Sequence, residues 1–172
     1  QAKSIKDTAW LTKAPVPNWI WSEKGSSDGQ VLYLRKDVVL AAPVKSAKLY
    51  TTCDNRMQLW INGKEVHSSN QWESPYLVEI GKLLKAGSNS FAVRAQNDGG
   101  VAAFVFKLLV DHGDGKETTL ISDKTWHASD KAPSDQWFSG NQGSLTWTAK
   151  LTSVNRLGGS PWGIPRPGGG GG

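Results

Sequence analysis

Residues 53–66, CDNRMQLWINGKEV, constrain the fold more than any other stretch of the chain. Met57, Leu59 and Ile61 alternate with Gln58, Trp60 and Asn62, the period-2 pattern of a strand with one buried face. Asn62-Gly63 follows. A type I′ turn needs φ > 0 at both central residues, which Asn tolerates and Gly takes freely, so this pair between strands predicts a β-hairpin. Lys64, Glu65 and Val66 open the return strand. Upstream, residues 47–52 read as a strand and Cys53-Asp54-Asn55-Arg56 as a polar break, where Asp and Asn side chains can bond nearby backbone and hold a tight turn.

The rest of the chain repeats this grammar. Residues 18–21 (NWIW) open the first strand, with Trp19 and Trp21 on one face. In the strand 31–40, Leu32, Leu34, Val38 and Leu40 share a face. Lys36 interrupts it, which predicts a bulge near Lys36-Asp37. Further strands are expected at 76–80, 90–96, 102–111, 118–122 and 145–152, the last with Leu145, Trp147, Ala149 and Leu151 inward. Residues 81–89 hold one helical turn, Asn97-Asp98-Gly99-Gly100 make a second polar break, and residues 123–143 form a long irregular stretch. Eight or nine strands with turn signals every ~10 residues predict an all-β fold, a two-sheet antiparallel β-sandwich of the jelly-roll kind. The sandwich is expected over residues 17–157, with an extended arm at 1–16 and a Gly/Pro-rich tail or linker at 158–172.

Several function classes are disfavoured. At 172 residues the chain suits one domain, and it lacks the run of about 18 apolar residues that would span a membrane. With no initiator Met and no signal-peptide core, it is expected to be a mature or excised form. The net charge is +5, but the basic residues are scattered and no cluster of four occurs, so no nucleic-acid partner is expected. The single cysteine, Cys53, allows neither an intrachain disulfide nor a paired-cysteine zinc site, and its parity with Ala47, Leu49 and Thr51 makes it a core residue. His67, His112 and His127 fall in expected loops without ligand spacing. No Gly-x-Ser-x-Gly, HExxH, Cys-x-x-Cys or phosphate loop appears. A glycosidase pair of carboxylates would have to come from Asp54 with Glu73 or Asp98, and acids at loop tips are common. The chain is not expected to be an enzyme.

Nine tryptophans against three tyrosines and four phenylalanines set the chain apart. Trp stacks on sugar rings as well as it fills cores. Trp72 stands alone in the polar loop 67–75, either as a stacking surface or as a buried anchor. Trp60 points away from Leu59 and Ile61, where the N-terminal arm is expected to cover it. Trp137-Phe138 can line a cleft, while Trp19, Trp21, Trp126, Trp147 and Trp162 are assigned to packing.

The order of motifs resembles the galactose-binding-like β-sandwich found at the N-terminal side of bacterial α-L-rhamnosidases and in related secreted multidomain proteins. The segments that carry the resemblance are NWIW at Asn18, YLRK at Tyr33, LYTTCDNRMQLWINGKEV from Leu49, LLKAGSNSFAVRAQNDGG from Leu83, SDKTW from Ser122 and SPWG from Ser160. It implies a non-catalytic carbohydrate-binding module of a secreted, periplasmic or cell-surface protein, with a glycan or polysaccharide as partner. It sets Asp54, Asn55 and Arg56 near the ligand-binding loops, with Asn97, Trp72 and Trp137 as further candidates. The alternative for these residues is turn capping by Asp54, Asn55 and Asn97 and an ion pair at Arg56. No cofactor is expected beyond a structural Ca²⁺ of the kind such modules often hold, for which Asp28, Asp111 and Asp114 are candidates without supporting spacing. The alternative function is a structural sandwich that docks to a neighbouring domain or to other copies of itself.

Overall fold

The computed structural model describes residues 2–164. Its strands are β1 (Lys3–Ser4), β2 (Asn18–Ser22), β3 (Val31–Leu40), β4 (Ser46–Asp54), β5 (Arg56–Ile61), β6 (Lys64–Ser69), β7 (Tyr76–Glu79), β8 (Gly87–Gln96), β9 (Ala103–Gly113), β10 (Lys116–Ile121), β11 (His127–Ser129) and β12 (Leu151–Arg156). Asn62 and Gly63 both take positive φ, 52° and 83°, and close the β5–β6 hairpin. The first sheet runs β1-β7-β4-β9-β2-β12, with β10 continuing along β9 beyond its contact with β2. The second runs β11-β3-β8-β5-β6. All pairings are antiparallel. The result is the expected sandwich, all-β and two-sheeted.

The inward residues of both sheets meet in one core. Leu32, Leu34, Leu59, Phe91 and Val93 face Leu49, Phe104, Phe106 and Leu108, all buried, with Cys53 among them. Burial raises the Cys53 thiol well above its ordinary pKa and keeps it protonated.

Both sheets also carry a covering on their outer faces. Trp10 and Leu11 lie on the first sheet with Trp19, Tyr50, Val105, Leu157 and Trp162. Lys107, 2% exposed, anchors this covering by donating from Nζ to the carbonyls of Trp10 and Lys13, each at 2.7 Å. Trp162 stacks on Trp19 at 4.4 Å. The arm therefore covers the first sheet and not Trp60. Trp60 is covered instead by the loop 130–144, through Phe138 stacked at 5.0 Å and Trp137 edge-on at 5.3 Å. The wholly buried Arg35 clamps that loop, donating to the carbonyls of Trp137 (2.9 Å), Ser139 (2.8 Å) and Gly140 while its Nε pairs with Asp37 at 3.0 Å. The terminal glycines of the expected tail lie outside the described residues. No described helix is long and apolar enough to cross a membrane.

Several expectations are corrected. Trp19 joins the outer cluster and Trp21 the intersheet core, although alternation puts residues two apart on one face; the β2–β12 register shifts beside them, between Ser153 and Asn155. No bulge occurs at Lys36-Asp37. The β3–β8 register is unbroken from Val31↔Gln96 to Leu40↔Gly87, and Lys36 extends its ammonium to Thr125 Oγ1 at 2.8 Å. His67, His112 and His127 lie in β6, β9 and β11 rather than in loops. Residues 145–150 keep the alternation in burial but are extended without a ladder, touching β11 through the single bridge Ala149↔Ala128. Strand β12 starts only at Leu151.

Two substitutions test the coverings. Arg35→Ala orphans three carbonyls and leaves Asp37 unpaired. It is expected to cost about 3 kcal/mol or more in urea unfolding and to expose the loop 130–144 to proteolysis. Lys107→Met keeps the aliphatic stem but removes the donors. It is expected to cost about 1–3 kcal/mol, with faster amide exchange at residues 9–13 than in β8 or β9.

Candidate functional site

The chain crosses from one sheet to the other in one residue. Asp54 ends β4 opposite Ala103, Arg56 begins β5 opposite Gln96, and only Asn55 lies between them. The Asp54–Asn55 peptide is cis. Asn55 ties the crossing to β8: its N–H donates to Gln96 O at 3.1 Å and its Oδ1 accepts from Asp98 N at 2.7 Å. Arg56 Nε donates to Asp98 Oδ2 at 2.7 Å, and Gln96 Nε2 to Asp98 Oδ1 at 3.3 Å. The two polar breaks read from the sequence thus meet at one end of the sandwich. Arg56 and Asp98 are 53% and 40% exposed, so their ion pair orients two ligand-capable groups and adds little stability.

On the other side of the crossing, Asp54 Oδ2 accepts from Trp162 Nε1 at 3.0 Å. Burial pushes its carboxyl pKa up, the Trp162 bond partly offsets this, and the nearby Glu73 pushes it further. The loop bearing Trp72 and Glu73 is held here by Thr52 Oγ1, which donates to Trp72 O at 2.9 Å. Trp72 is half-buried and packs against the outer cluster.

Two expected site residues are committed to other partners. Asn97 is wholly buried. Its Nδ2 donates to the carbonyls of Ser27 and Gly100 at 3.0 and 3.1 Å, and its Oδ1 accepts from Gly99 N at 3.0 Å. It organises the turn that presents Asp98 and has nothing left for a ligand. Trp137 is 5% exposed, its ring against Tyr33 and Trp60. Trp60 lies four residues along β5 from Arg56, about 13 Å away, so Trp137 anchors the covering loop and stands apart from the crossing. The calcium candidates separate too. Asp28 sits beside Gly99 at the crossing end, whereas Asp111 pairs with Ser46 at the far end of β4 and β9. Among the described residues no three Asp, Glu, His or Cys side chains converge to hold a metal ion.

Sequence reasoning missed a groove on the outer face of the second sheet, about 470 Å³, where Arg94, Gln58, Ser68 and Asn70 lie beside Arg56 and Gln96 of the crossing. Its residues come from three strands and one loop, and only the pairing register brings them side by side.

The two-sheet fold fits a galactose-binding-like accessory domain, as its likeness to known proteins shows. No protein-family model matches the sequence. The chain is 28% identical over 180 residues to an α-L-rhamnosidase of Streptomyces avermitilis, spanning 96% of this chain and only 17% of that enzyme. The crystal structure of that rhamnosidase complexed with L-rhamnose superimposes with a TM-score of 0.77 at 27% identity, over 97% of this chain and 17% of that one. A lectin from Pleurotus ostreatus in complex with GalNAc shares the fold, with a TM-score of 0.73 and 19% identity over 96% of this chain and 48% of the lectin.

The raised Asp54 pKa has a stability signature. The native state holds this proton more tightly than the unfolded chain, so the contribution is complete below the ordinary value of 3.8 and is lost as pH rises through the folded value. Asp54→Asn keeps an acceptor for Trp162 and removes the charge. Urea midpoints across pH are expected to show the variant at least as stable as wild type at pH 7, without the wild-type decline just above pH 3.8.

Proposed function

We propose that the chain is a non-catalytic carbohydrate-binding module of a secreted or cell-surface bacterial protein, holding a glycan at the crossing. The observation that supports this reading is that a carboxylate, an amide and a guanidinium follow one another at one end of the sandwich, Asp54 on the side of the half-buried Trp72 and Arg56 on the side of Asp98. These groups hydrogen-bond hydroxyls in fixed directions while an indole face takes the apolar side of a sugar ring. Asn97 serves by positioning Asp98. The likeness to a lectin and to a fraction of a rhamnosidase supports the same reading. In a longer protein the module would hold a neighbouring domain close to its polysaccharide. For the docking alternative, Trp60 lies stacked against Phe138 and the arm's Trp10 is packed on the first sheet, so neither stands free as a contact.

A titration followed by intrinsic tryptophan fluorescence tests this, over a panel that includes rhamnose- and GalNAc-containing oligosaccharides. A saturable shift is expected with at least one glycan. Asp54→Ala and Trp72→Ala are each expected to weaken it tenfold or more, about 1.4 kcal/mol. A flat response of folded wild-type protein across the panel would sink the reading.

A further inference from the structure

The groove on the second sheet has a chemistry of its own. Arg94 in β8 lies opposite Gln58 in β5, and Gln58 opposite Ser68 in β6, so three polar side chains form a row across the sheet. Tyr33, opposite Arg94 on the other side, carries the Trp137 ring of the covering loop and bounds the row. Arg35 and Arg56 on the same sheet each pair with an aspartate. Arg94 does not: it is half-buried, its Nη1 donates to Gln96 Oε1 at 3.0 Å, and among the described residues no acidic oxygen lies within salt-bridge distance. A guanidinium is always charged and carries five N–H donors in a planar fork. One donor is used and no acidic partner offsets the charge, in a concavity of about 470 Å³ lined otherwise by amides, hydroxyls, Met57 and Arg56, the last paired with Asp98 at the crossing, so the groove opens onto the site proposed above. The net charge of +5 adds a field that draws anions to the surface.

We propose that this groove is a second saccharide subsite, selective for a sugar that carries an oxyanion, the carboxylate of a uronic acid or a sulfate ester. Arg94 grips the oxyanion through two parallel N–H···O bonds, and Gln58 and Ser68 bond the hydroxyls beside it. That the ligand is a saccharide rests on the function proposed above; that it is anionic rests on Arg94.

The experiment is a calorimetric titration of the full chain with a uronate oligosaccharide, its carboxyl-reduced neutral counterpart, a sulfated oligosaccharide and inorganic sulfate. It is run on wild type, Arg94→Gln, Arg94→Lys and Asp54→Ala, with thermal unfolding as the folding control. At least one acidic oligosaccharide is expected to bind ten times more tightly than the neutral form. Arg94→Gln is expected to raise that Kd at least tenfold, Arg94→Lys to restore little of it, and Asp54→Ala to leave it unchanged. The carboxylate and sulfate arms distinguish the two sources of the oxyanion. Equal binding of acidic and neutral forms, or a Kd within twofold of wild type in Arg94→Gln, overturns the proposal. So does displacement of the oligosaccharide by an equal concentration of sulfate, which marks an anion site without sugar recognition. Should Arg94→Gln misfold, Gln58→Ala with Ser68→Ala takes its place under the same criteria. Neutral glycan bound through Asp54 with an inert groove overturns this inference and leaves the function standing. Arg94-dependent binding of an acidic oligosaccharide with no response to any neutral glycan sustains this inference and overturns only the placing of a glycan at the crossing.

Discussion

The one-residue crossing at Asn55 is the constraint from which the rest follows. The strands it joins belong to different sheets, so the sheet ends are held together where β4 leaves Ala103 and β5 meets Gln96. Carboxylate, amide and guanidinium are consecutive in sequence, yet the crossing sends Asp54 toward Trp162 on one sheet and Arg56 toward Asp98 beside the other. A longer connection would leave these groups on a loop whose ordering a ligand would have to complete. Here backbone bonds on both sides fix them beforehand, at a cost to folding and not to binding.

The tryptophan content follows from how many faces the sandwich buries. A two-sheet domain ordinarily leaves its outer faces to water. This one covers the first sheet with an N-terminal arm and a C-terminal turn, and part of the second with the loop 130–144. Each covering is held by a buried cation that meets backbone carbonyls, Lys107 for the first and Arg35 for the second. Carbonyls at the ends of irregular segments have no ladder partners, and a buried ammonium or guanidinium satisfies two or three of them at once.

How much of this was legible in the sequence depended on whether the signal was local. The Asn62-Gly63 hairpin, the inward run of β9 and the polar breaks at residues 53–56 and 97–100 were readable because turn chemistry and alternation act over a few residues. Which face a residue occupies failed at Trp19 and Trp21 in β2, beside a register shift against β12 that the sequence pattern does not reveal. Lys36 looked like a break in β3 because the pattern cannot show a long side chain leaving at a sheet edge. At 145–150 the alternation survived in burial without a strand, since pairing needs a neighbour that the pattern does not supply. Of the proposed site residues, Asp54, Asn55 and Arg56 were suggested by a resemblance, whereas Arg94 drew notice only once register set it beside Gln58. Asn97 shows the opposite failure: an amide at a strand end reads like a ligand group, and its partners are all backbone.

The bond between Trp162 and Asp54 joins the crossing to the covering of the first sheet. The same indole stacks on Trp19, which packs with Trp10, so the carboxylate and the outer cluster share a hinge point. A glycan bound at Asp54 as proposed would compete with Trp162 for the carboxylate, so its occupancy and the closure of the cover would be coupled, and such coupling is reciprocal.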